Sequence, residues 1–311
     1  MRLAEPNNSN VLPRVSIPQG PAPQLAYRIG EITFGLFAES GVNLALEPAL
    51  RDFLVGSDSC DVRIQVEWAD HLEIPSATPS FHSGGLWSAY AIPSGLQFCF
   101  TTPFLGPTPY KAAWFDPEFT SGRVALERRF FHENGPVFPM EYPLDELLMI
   151  HRLSRGEGVE VHAVGVVDES GRGHLFLGHS GAGKSTTAQL WNSLPGTQVL
   201  SDDRMILRGH NGAIWMYGTP WHGDAGVAAP QCAPLSRMYL LEHAGRNELI
   251  PMHKGQAAAE LFARSFVPYH SSVGLEFTLS FVDRVAQRTP CSIFRFVPDF
   301  TAVETICRVD A

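Results

Sequence analysis

The sequence predicts an α/β protein in which a β-rich N-terminal domain precedes a nucleotide-binding domain with a mixed sheet. Residues from about 27 to 114 carry mostly strand signals, namely aromatic and β-branched residues and apolar–polar alternation. From residue 144 onward, helix-like and strand-like segments alternate, more loosely than in a regular doubly wound sheet. A glycine-rich loop at residues 178–185 stands between one such strand and one such helix.

Three segments divide the chain. Residues 1–24 are rich in Pro, Asn and Ser and are expected to be a flexible lead-in, 25–140 form the β-rich domain, and 141–311 form the nucleotide-binding domain. In the β-rich domain, strand signals are found at 27–37, 62–68 and, with weaker alternation, 96–100.

The nucleotide-binding domain is predicted element by element. A helix is expected at 144–153, with acids in its first turn and glycines after its last. A strand at 198–201 continues at 205–208 and turns through Asn211-Gly212 into a hairpin partner at 213–217. The other predicted elements are strands at 159–167, 174–177, 238–242, 248–252 and 292–297 and helices after the glycine-rich loop, at 255–266 and at 274–288.

Composition and charge restrict the class of protein. The chain has 311 residues, 44% of them hydrophobic, which is enough for one large or two ordinary domains with buried cores. Its 23 Lys and Arg face 32 Asp and Glu, and this acidic balance argues against nucleic acid or an anionic membrane as partner. The N-terminus lacks an apolar core of signal-peptide length, and the five cysteines form no C-x-x-C pair. We therefore expect a cytoplasmic protein with reduced thiols.

The glycine-rich loop matches the phosphate-binding pattern G-x-x-x-x-G-K-[ST] at every fixed position. Its glycines let backbone N–H groups surround phosphate oxygens, and the helix N-terminus adds partial positive charge. Lys184 would reach the β- and γ-phosphates, and the Ser185 hydroxyl would ligate Mg²⁺. The sequence thus predicts ATP and Mg²⁺ as cofactors. The residues expected to bind the nucleotide are Gly178, Ser180, Gly181, Ala182, Gly183, Lys184, Ser185 and Thr186.

Two adjacent acids follow the next predicted strand. Asp202 and Asp203 stand 18 residues after Lys184 in sequence. Neighbours on a strand point to opposite sides, so one carboxylate can address a metal while the other addresses a phosphoryl acceptor. Arg204 would either neutralise phosphoryl charge or form a salt bridge. Trp221, His222 and Asp224 either line the pocket or belong to a packed loop.

These motifs together resemble the catalytic domain of HPr kinase/phosphorylase, a family related to the phosphoenolpyruvate carboxykinases. The resemblance rests on His162-Ala163, the phosphate loop 14 residues later, and Ser201-Asp202-Asp203-Arg204 soon after it, and it covers about residues 144–230. It weakens toward the C-terminus. The runs 218–223 and 294–299 are more similar to HPr-kinase-related proteins of uncertain substrate than to the regulator itself.

The resemblance implies a role for each matching residue. It implies that Asp202 is the base that deprotonates a substrate hydroxyl, that Asp203 and Ser185 bind the metal, and that the catalytic residues His162 and Lys184 lie beside the γ-phosphate. Two departures bear on the substrate. Thr186 stands where the bifunctional enzymes usually carry Glu, and no counterpart of their C-terminal signature is found, which puts HPr as substrate and the reverse reaction in doubt.

The sequence therefore predicts an ATP-dependent kinase that transfers the γ-phosphoryl group to a hydroxyl, most readily a serine of a protein or peptide. A kinase for a small-molecule alcohol and a nucleotide-gated binding protein without phosphotransfer remain alternatives, and a carboxykinase-like lyase is a weaker one. The acceptor, the reverse reaction, the oligomeric state (a homo-oligomer is compatible with the sequence) and the role of the N-terminal domain stay open.

Overall fold

A computed structural model describes residues 22–56, 59–132 and 135–309 of the chain. The predicted lead-in at residues 1–24 falls almost entirely outside these ranges. The described residues form two mixed β-sheets and a small number of helices, which confirms the predicted α/β class. None of the helices in the described ranges combines the length and apolar character needed to cross a membrane.

The first sheet has eight strands in the order β1-β2-β3-β8-β7-β6-β5-β4. β3 is parallel to both β2 and β8, and the remaining pairs are antiparallel. In β3 the side chains of Val62, Ile64 and Val66 are buried, as the alternation at 62–68 predicts. The strands are β1 (Leu25–Ile29), β2 (Ile32–Ala38), β3 (Val62–Ala69), β4 (Phe81–His82), β5 (Trp87–Ile92), β6 (Gly95–Thr102), β7 (Gly106–Phe115) and β8 (Ser121–Glu127), with short 3-10 helices at Pro48–Phe53 and Arg128–Phe130.

The second sheet has nine strands, and the five α-helices of the described residues lie in the same part of the sequence as these strands. Along its main path the order is β10-β9-β12-β13-β14-β17-β15, and β10 also pairs with β14, so the pairing of β9, β12, β13, β14 and β10 closes on itself. The elements are α1 (Leu144–Leu153), β9 (Gly158–Val167), β10 (Gly173–Leu177), α2 (Lys184–Asn192), β11 (Gln198–Ser201), β12 (Arg204–His210), β13 (Ala213–Gly218), β14 (Cys232–His243), β15 (Glu248–Pro251), α3 (Lys254–Phe262), β16 (Ser265–Phe266), α4 (Ser272–Arg288), β17 (Cys291–Phe296) and α5 (Phe300–Val309).

The pairing of β9 explains where the two adjacent acids lie. β11 and β12 follow one another along β9, both antiparallel to it, from Gln198 opposite Val167 to Arg208 opposite Gly158. The sequence predicted this continuation. Between the two strands the regular ladder is interrupted at residues 202 and 203, so the acids occupy an irregular segment in the middle of a sheet.

Buried side chains of β12 alternate between two cores. Met205 and Leu207 pack in a cluster with residues of α3 and α4, whereas Ile206 packs in the cluster built on the first sheet. Leu144 and Leu148 of α1 belong to that same first-sheet cluster. A third cluster joins α2 and α5 to the other side of the second sheet. The two sheets are therefore in direct apolar contact, and the predicted boundary near residue 140 stays a prediction.

The structure differs from the sequence-based elements at several places, and β4, β5, β7 and β8 have no individually predicted counterpart. The run 27–37 is split by a two-residue turn at Gly30-Glu31, where both residues have positive φ (56° and 63°). The helix expected at 255–266 ends at Phe262, and β16 follows it. α5 was not predicted.

Candidate active site

The glycine-rich loop connects the end of β10 to the start of α2, as the sequence predicted. Gly181 and Gly183 have φ values of 80° and 97°, a conformation that favours glycine. A Cβ on Gly183 would lie 2.5 Å from Cζ of Phe296, so this position accepts hydrogen alone. The Lys184 Nζ donates to the carbonyl oxygens of Gly178 and His179 at 3.0 and 3.1 Å. The loop thus wraps around the lysine ammonium group.

Lys184 lies in a group of interacting charges. Burial lowers the pKa of its ammonium group, Asp203 opposes that shift, and Arg264 and Arg204 add to it. Ammonium and guanidinium groups this close together repel one another unless an anion lies among them. This part of the site is therefore suited to negatively charged groups such as phosphates.

The carboxylate of Asp203 has two fixed partners. His162 Nδ1 lies 3.0 Å from Asp203 Oδ1, and Arg204 Nη1 donates to Oδ2. Burial would raise the pKa of Asp203, but the hydrogen bond from His162 and the charges of Arg204, His162 and Lys184 outweigh it and lower the pKa below its ordinary value. Asp203 is therefore an anionic carboxylate across the neutral pH range.

Arg204 forms salt bridges, which was one of the two roles considered for it. Besides Asp203, its Nε donates to Glu146 Oε1 at 2.6 Å and lies 3.7 Å from Glu160 Oε1. Its guanidinium lies over the Phe266 ring, 4.4 Å from the centroid. Burial would lower the pKa of Arg204, but these carboxylates raise it above its ordinary value.

Asp202 points away from Asp203 and toward the loop that follows β13. Its Oδ1 accepts from the backbone N–H of Gly223 at 2.9 Å and of Val227 at 3.4 Å, and its Oδ2 accepts from that of Ala225 at 2.7 Å. The residue is 2% exposed. The two acids thus contact different partners, as expected for neighbours in an extended segment. Asp202 binds the backbone of a loop whose contact with it the sequence did not predict.

One cavity of about 460 Å³ brings most of the predicted site residues together. Gly178 and Ala182 do not line it. The Gly178 carbonyl accepts a hydrogen bond from Lys184 Nζ at 3.0 Å, and the Ala182 N–H donates to the His179 carbonyl at 3.1 Å. The lining residues are His162, Ser180, Gly181, Gly183, Lys184, Ser185, Thr186, Asp202, Asp203, Gly223, Asp224 and His243.

Two lining residues come from parts of the chain that the sequence left uncertain or missed. Asp224 lines the cavity, whereas Trp221 instead donates from Nε1 to Asp145 at 2.6 Å. His243, at the end of β14, was missed. Its Nε2 lies 3.2 Å from the Gly181 carbonyl, and its ring stacks on Phe296 with centroids 5.2 Å apart. Its place at the end of a predicted strand was the available signal.

The donor atoms present fit a magnesium ion shared with phosphates. Within the described residues, no group of three or more His, Cys, Asp or Glu side chains is arranged as a metal site. Mg²⁺ in nucleotide sites takes one or two protein oxygens and completes its shell with phosphates and water. The Ser185 hydroxyl and the Asp203 carboxylate are hard oxygen donors that line the same cavity.

Known proteins that are similar to this chain are found among solved structures. No protein-family model matches the chain, and no curated protein sequence matches it. Among solved structures, the chain is similar to the Hpr(Ser) kinase/phosphatase from Coxiella burnetii, at 14% sequence identity. The match covers 49% of this chain and 89% of that chain, with a TM-score of 0.29. A TM-score this low carries no conclusion about this chain.

Proposed function

We propose that the protein is an ATP-dependent kinase that transfers the γ-phosphoryl group to a hydroxyl. One observation carries the proposal: the phosphate-loop lysine and serine, two histidines and three carboxylates line a single polar cavity of about 460 Å³. Phosphoryl transfer requires positioning and charge stabilisation more than covalent chemistry by the protein, and these side chains supply both.

Binding of the triphosphate falls to the phosphate loop. The N–H groups at the start of α2 and the Lys184 ammonium group would hold the β- and γ-phosphates. Ser185 and Asp203 would hold Mg²⁺, which when bound neutralises phosphate charge. His162 keeps Asp203 in place through its 3.0 Å contact. The low pKa of Asp203 supports this assignment, because metal ligands must be deprotonated.

The transfer step needs a group that accepts the acceptor's proton. The acceptor oxygen attacks the γ-phosphorus, the bond from that phosphorus to the β–γ bridging oxygen breaks, ADP leaves, and the hydroxyl proton passes to Asp202. Three backbone N–H donors of the loop after β13 hold this carboxylate in place at the cavity wall. In a loose transition state the protein has little covalent chemistry to do, so orienting the acceptor hydroxyl and receiving its proton is the part that a carboxylate has to play.

We further propose that residues 141–311 form an HPr-kinase-like domain of the P-loop type related to phosphoenolpyruvate carboxykinase, next to a β-rich domain at 25–140. The motif spacing around His162, the phosphate loop and the acid pair supports this proposal. A serine of a protein or peptide is the proposed acceptor, and a small-molecule alcohol is the variant of the same chemistry.

The test is transfer from γ-labelled Mg·ATP to a panel of serine-bearing peptides and small alcohols. We expect labelling of at least one acceptor. Asp202→Asn should abolish transfer at nearly unchanged ATP affinity, whereas Lys184→Ala should weaken ATP binding itself. Nucleotide binding without hydrolysis or labelling would favour a nucleotide-gated binding protein. Equal, mild effects of both substitutions would overturn the assignment of roles.

A further inference from the structure

Two consecutive acids of α1 hold side chains that neighbour the candidate active site. Asp145 accepts a hydrogen bond from Trp221, and Glu146 accepts one from Arg204 at 2.6 Å. Both belong to the first turn of the helix, where acids interact favourably with the helix dipole. Glu146 is 58 residues away from Arg204 in sequence, so this contact joins two distant parts of the chain.

The orientation of this turn is set by packing. Leu144, Leu147 and Leu148 are buried in the cluster built on the first sheet, so these apolar contacts hold α1 in place. A buried helix of this kind has little freedom to rotate without breaking close-packed contacts. Glu146 is therefore a fixed acceptor, with its side chain 9% exposed.

Arg204 donates hydrogen bonds to two carboxylates and lies 3.7 Å from a third, that of Glu160. It donates from Nε to Glu146 and from Nη1 to Asp203, so Glu146 draws part of its positive charge away from Asp203. Without Glu146, Arg204 would keep its contacts with Asp203, Glu160 and the Phe266 ring but lose its 2.6 Å hydrogen bond at Nε. More of its charge would then be directed at Asp203, and its long side chain would gain rotamer freedom. Both changes disfavour a metal ion at Asp203, because the guanidinium would compete for the carboxylate and move it.

We infer that Glu146 is a positioning residue that holds Arg204 and thereby keeps the Asp203 carboxylate available to the metal in the phosphate-loop cavity. This inference rests on the proposed function, since it assumes that Asp203 binds Mg²⁺ together with ATP. The N-terminal half of the protein then contributes to metal binding indirectly, because the packing of α1 on the first sheet determines where Glu146 lies.

The chain offers a matched control for loss of such a glutamate. Glu157 Oε2 lies 2.7 Å from Arg208 Nη2, so Glu157 also pairs with an arginine of β12. It additionally contacts Arg152 of α1. Arg208 is at the opposite end of the β9–β12 pairing from Arg204, away from the cavity. Glu157→Ala therefore removes a comparable ion pair without touching Asp203.

The experiment measures binding of a fluorescent ATP analogue by the full-length protein as Mg²⁺ is titrated, and again without Mg²⁺. For Glu146→Ala we expect the Mg²⁺ concentration at half-saturation to rise by about tenfold or more, as for other groups that orient a metal ligand, at unchanged metal-free affinity. Glu146→Gln should give a smaller rise, because its amide oxygen still accepts from Nε. Glu157→Ala should leave the Mg²⁺ dependence unchanged.

The outcomes separate the two claims. A wild-type protein whose ATP binding does not depend on Mg²⁺ overturns the proposed function and this inference with it. A wild type that binds Mg·ATP normally, with Glu146 variants whose Mg²⁺ dependence matches that of Glu157→Ala, overturns the inference alone. If thermal unfolding shows that Glu146→Ala is not folded, the Mg²⁺ dependence of ATP binding is compared between Glu146→Gln and Glu157→Gln instead.

Discussion

Arg204 lies directly opposite His162 in the antiparallel pairing of β12 with β9, and both side chains contact the carboxylate of Asp203. The backbone register of two central strands therefore fixes both partners of this acid. A carboxylate held in this way keeps its orientation without help from a ligand, which is the preorganisation that metal and phosphate sites require.

Asp203→Asn should separate metal binding from nucleotide binding. The amide cannot replace an anionic ligand, so we expect Mg²⁺ to enhance ATP binding much less in the variant, by about 10-fold or more. Affinity for ATP without Mg²⁺ should stay the same or rise, because a negative charge beside the phosphates is removed. Titration calorimetry with and without Mg²⁺ measures both quantities, and parallel losses in both would contradict the role given to Asp203.

Asp202→Asn should also loosen the loop after β13. In the asparagine variant one carboxylate oxygen becomes an NH₂ group, which cannot accept, so the acceptor is lost either by Ala225 N–H at Oδ2 or by Gly223 and Val227 N–H at Oδ1. A buried donor left without an acceptor costs about 1–3 kcal/mol. We expect that loss in urea unfolding, together with faster proteolysis within 222–227. Asp224→Asn, which changes an exposed acid of the same loop, is the control and should leave stability nearly unchanged.

Gly183→Ala should damage the phosphate loop far more than Gly181→Ala. Both glycines have positive φ, which costs an alanine about 1 kcal/mol. At Gly183 the new methyl group would also meet the Phe296 ring at 2.5 Å, whereas at Gly181 no heavy atom lies within 4 Å. We expect a destabilisation of about 2–4 kcal/mol for Gly183→Ala. Urea unfolding of the two variants makes the comparison, and equal losses would show that the ring contact is unimportant.

Asp145 should make stability depend on pH. Burial raises its pKa to about 6 from an ordinary value of 3.8. Between about pH 4 and 6 the folded protein holds a proton that the unfolded chain has lost, so the contribution of Asp145 to the free energy of unfolding falls as pH rises through this window. Asp145→Asn does not titrate, and its side-chain oxygen can still accept from Trp221.

The measurement is urea unfolding of both proteins at several pH values. Relative to the wild type, Asp145→Asn should become more stable by about 3 kcal/mol between pH 4 and pH 7, the equivalent of about two pKa units. A difference between the two proteins that stays constant over this range would show that Asp145 ionises normally in the fold.

Local signals in the sequence were sufficient for many elements of the fold. The hairpin at Asn211-Gly212 has a turn sequence whose residues readily adopt positive φ, and the structure shows φ values of 48° and 80° there. The turn at Gly30-Glu31 also has positive φ at both residues, but glutamate seldom adopts such values. The sequence therefore predicted one continuous strand over the run 27–37. The glycine-rich loop was located correctly because its pattern and both flanks are contiguous in sequence.

The surroundings of the site depend on contacts between distant parts of the chain. His243 lies 62 residues from the Gly181 carbonyl that it contacts, and Glu146 lies 58 residues from Arg204. No periodicity encodes such pairs, because they follow from the order of strands in the sheet. The same reason explains Asp202, whose partners in the loop after β13 are more than 20 residues away.

The burial of Ile206 and Tyr217 among side chains of the first sheet limits how the protein can be shortened. A fragment beginning at residue 141 would carry these two residues and the leucines of α1 to the surface as one apolar patch. Arg208 would also lose the Gly30 carbonyl that it contacts in the full chain. Such a fragment is expected to self-associate or aggregate, so biochemical work on the nucleotide site calls for the entire polypeptide.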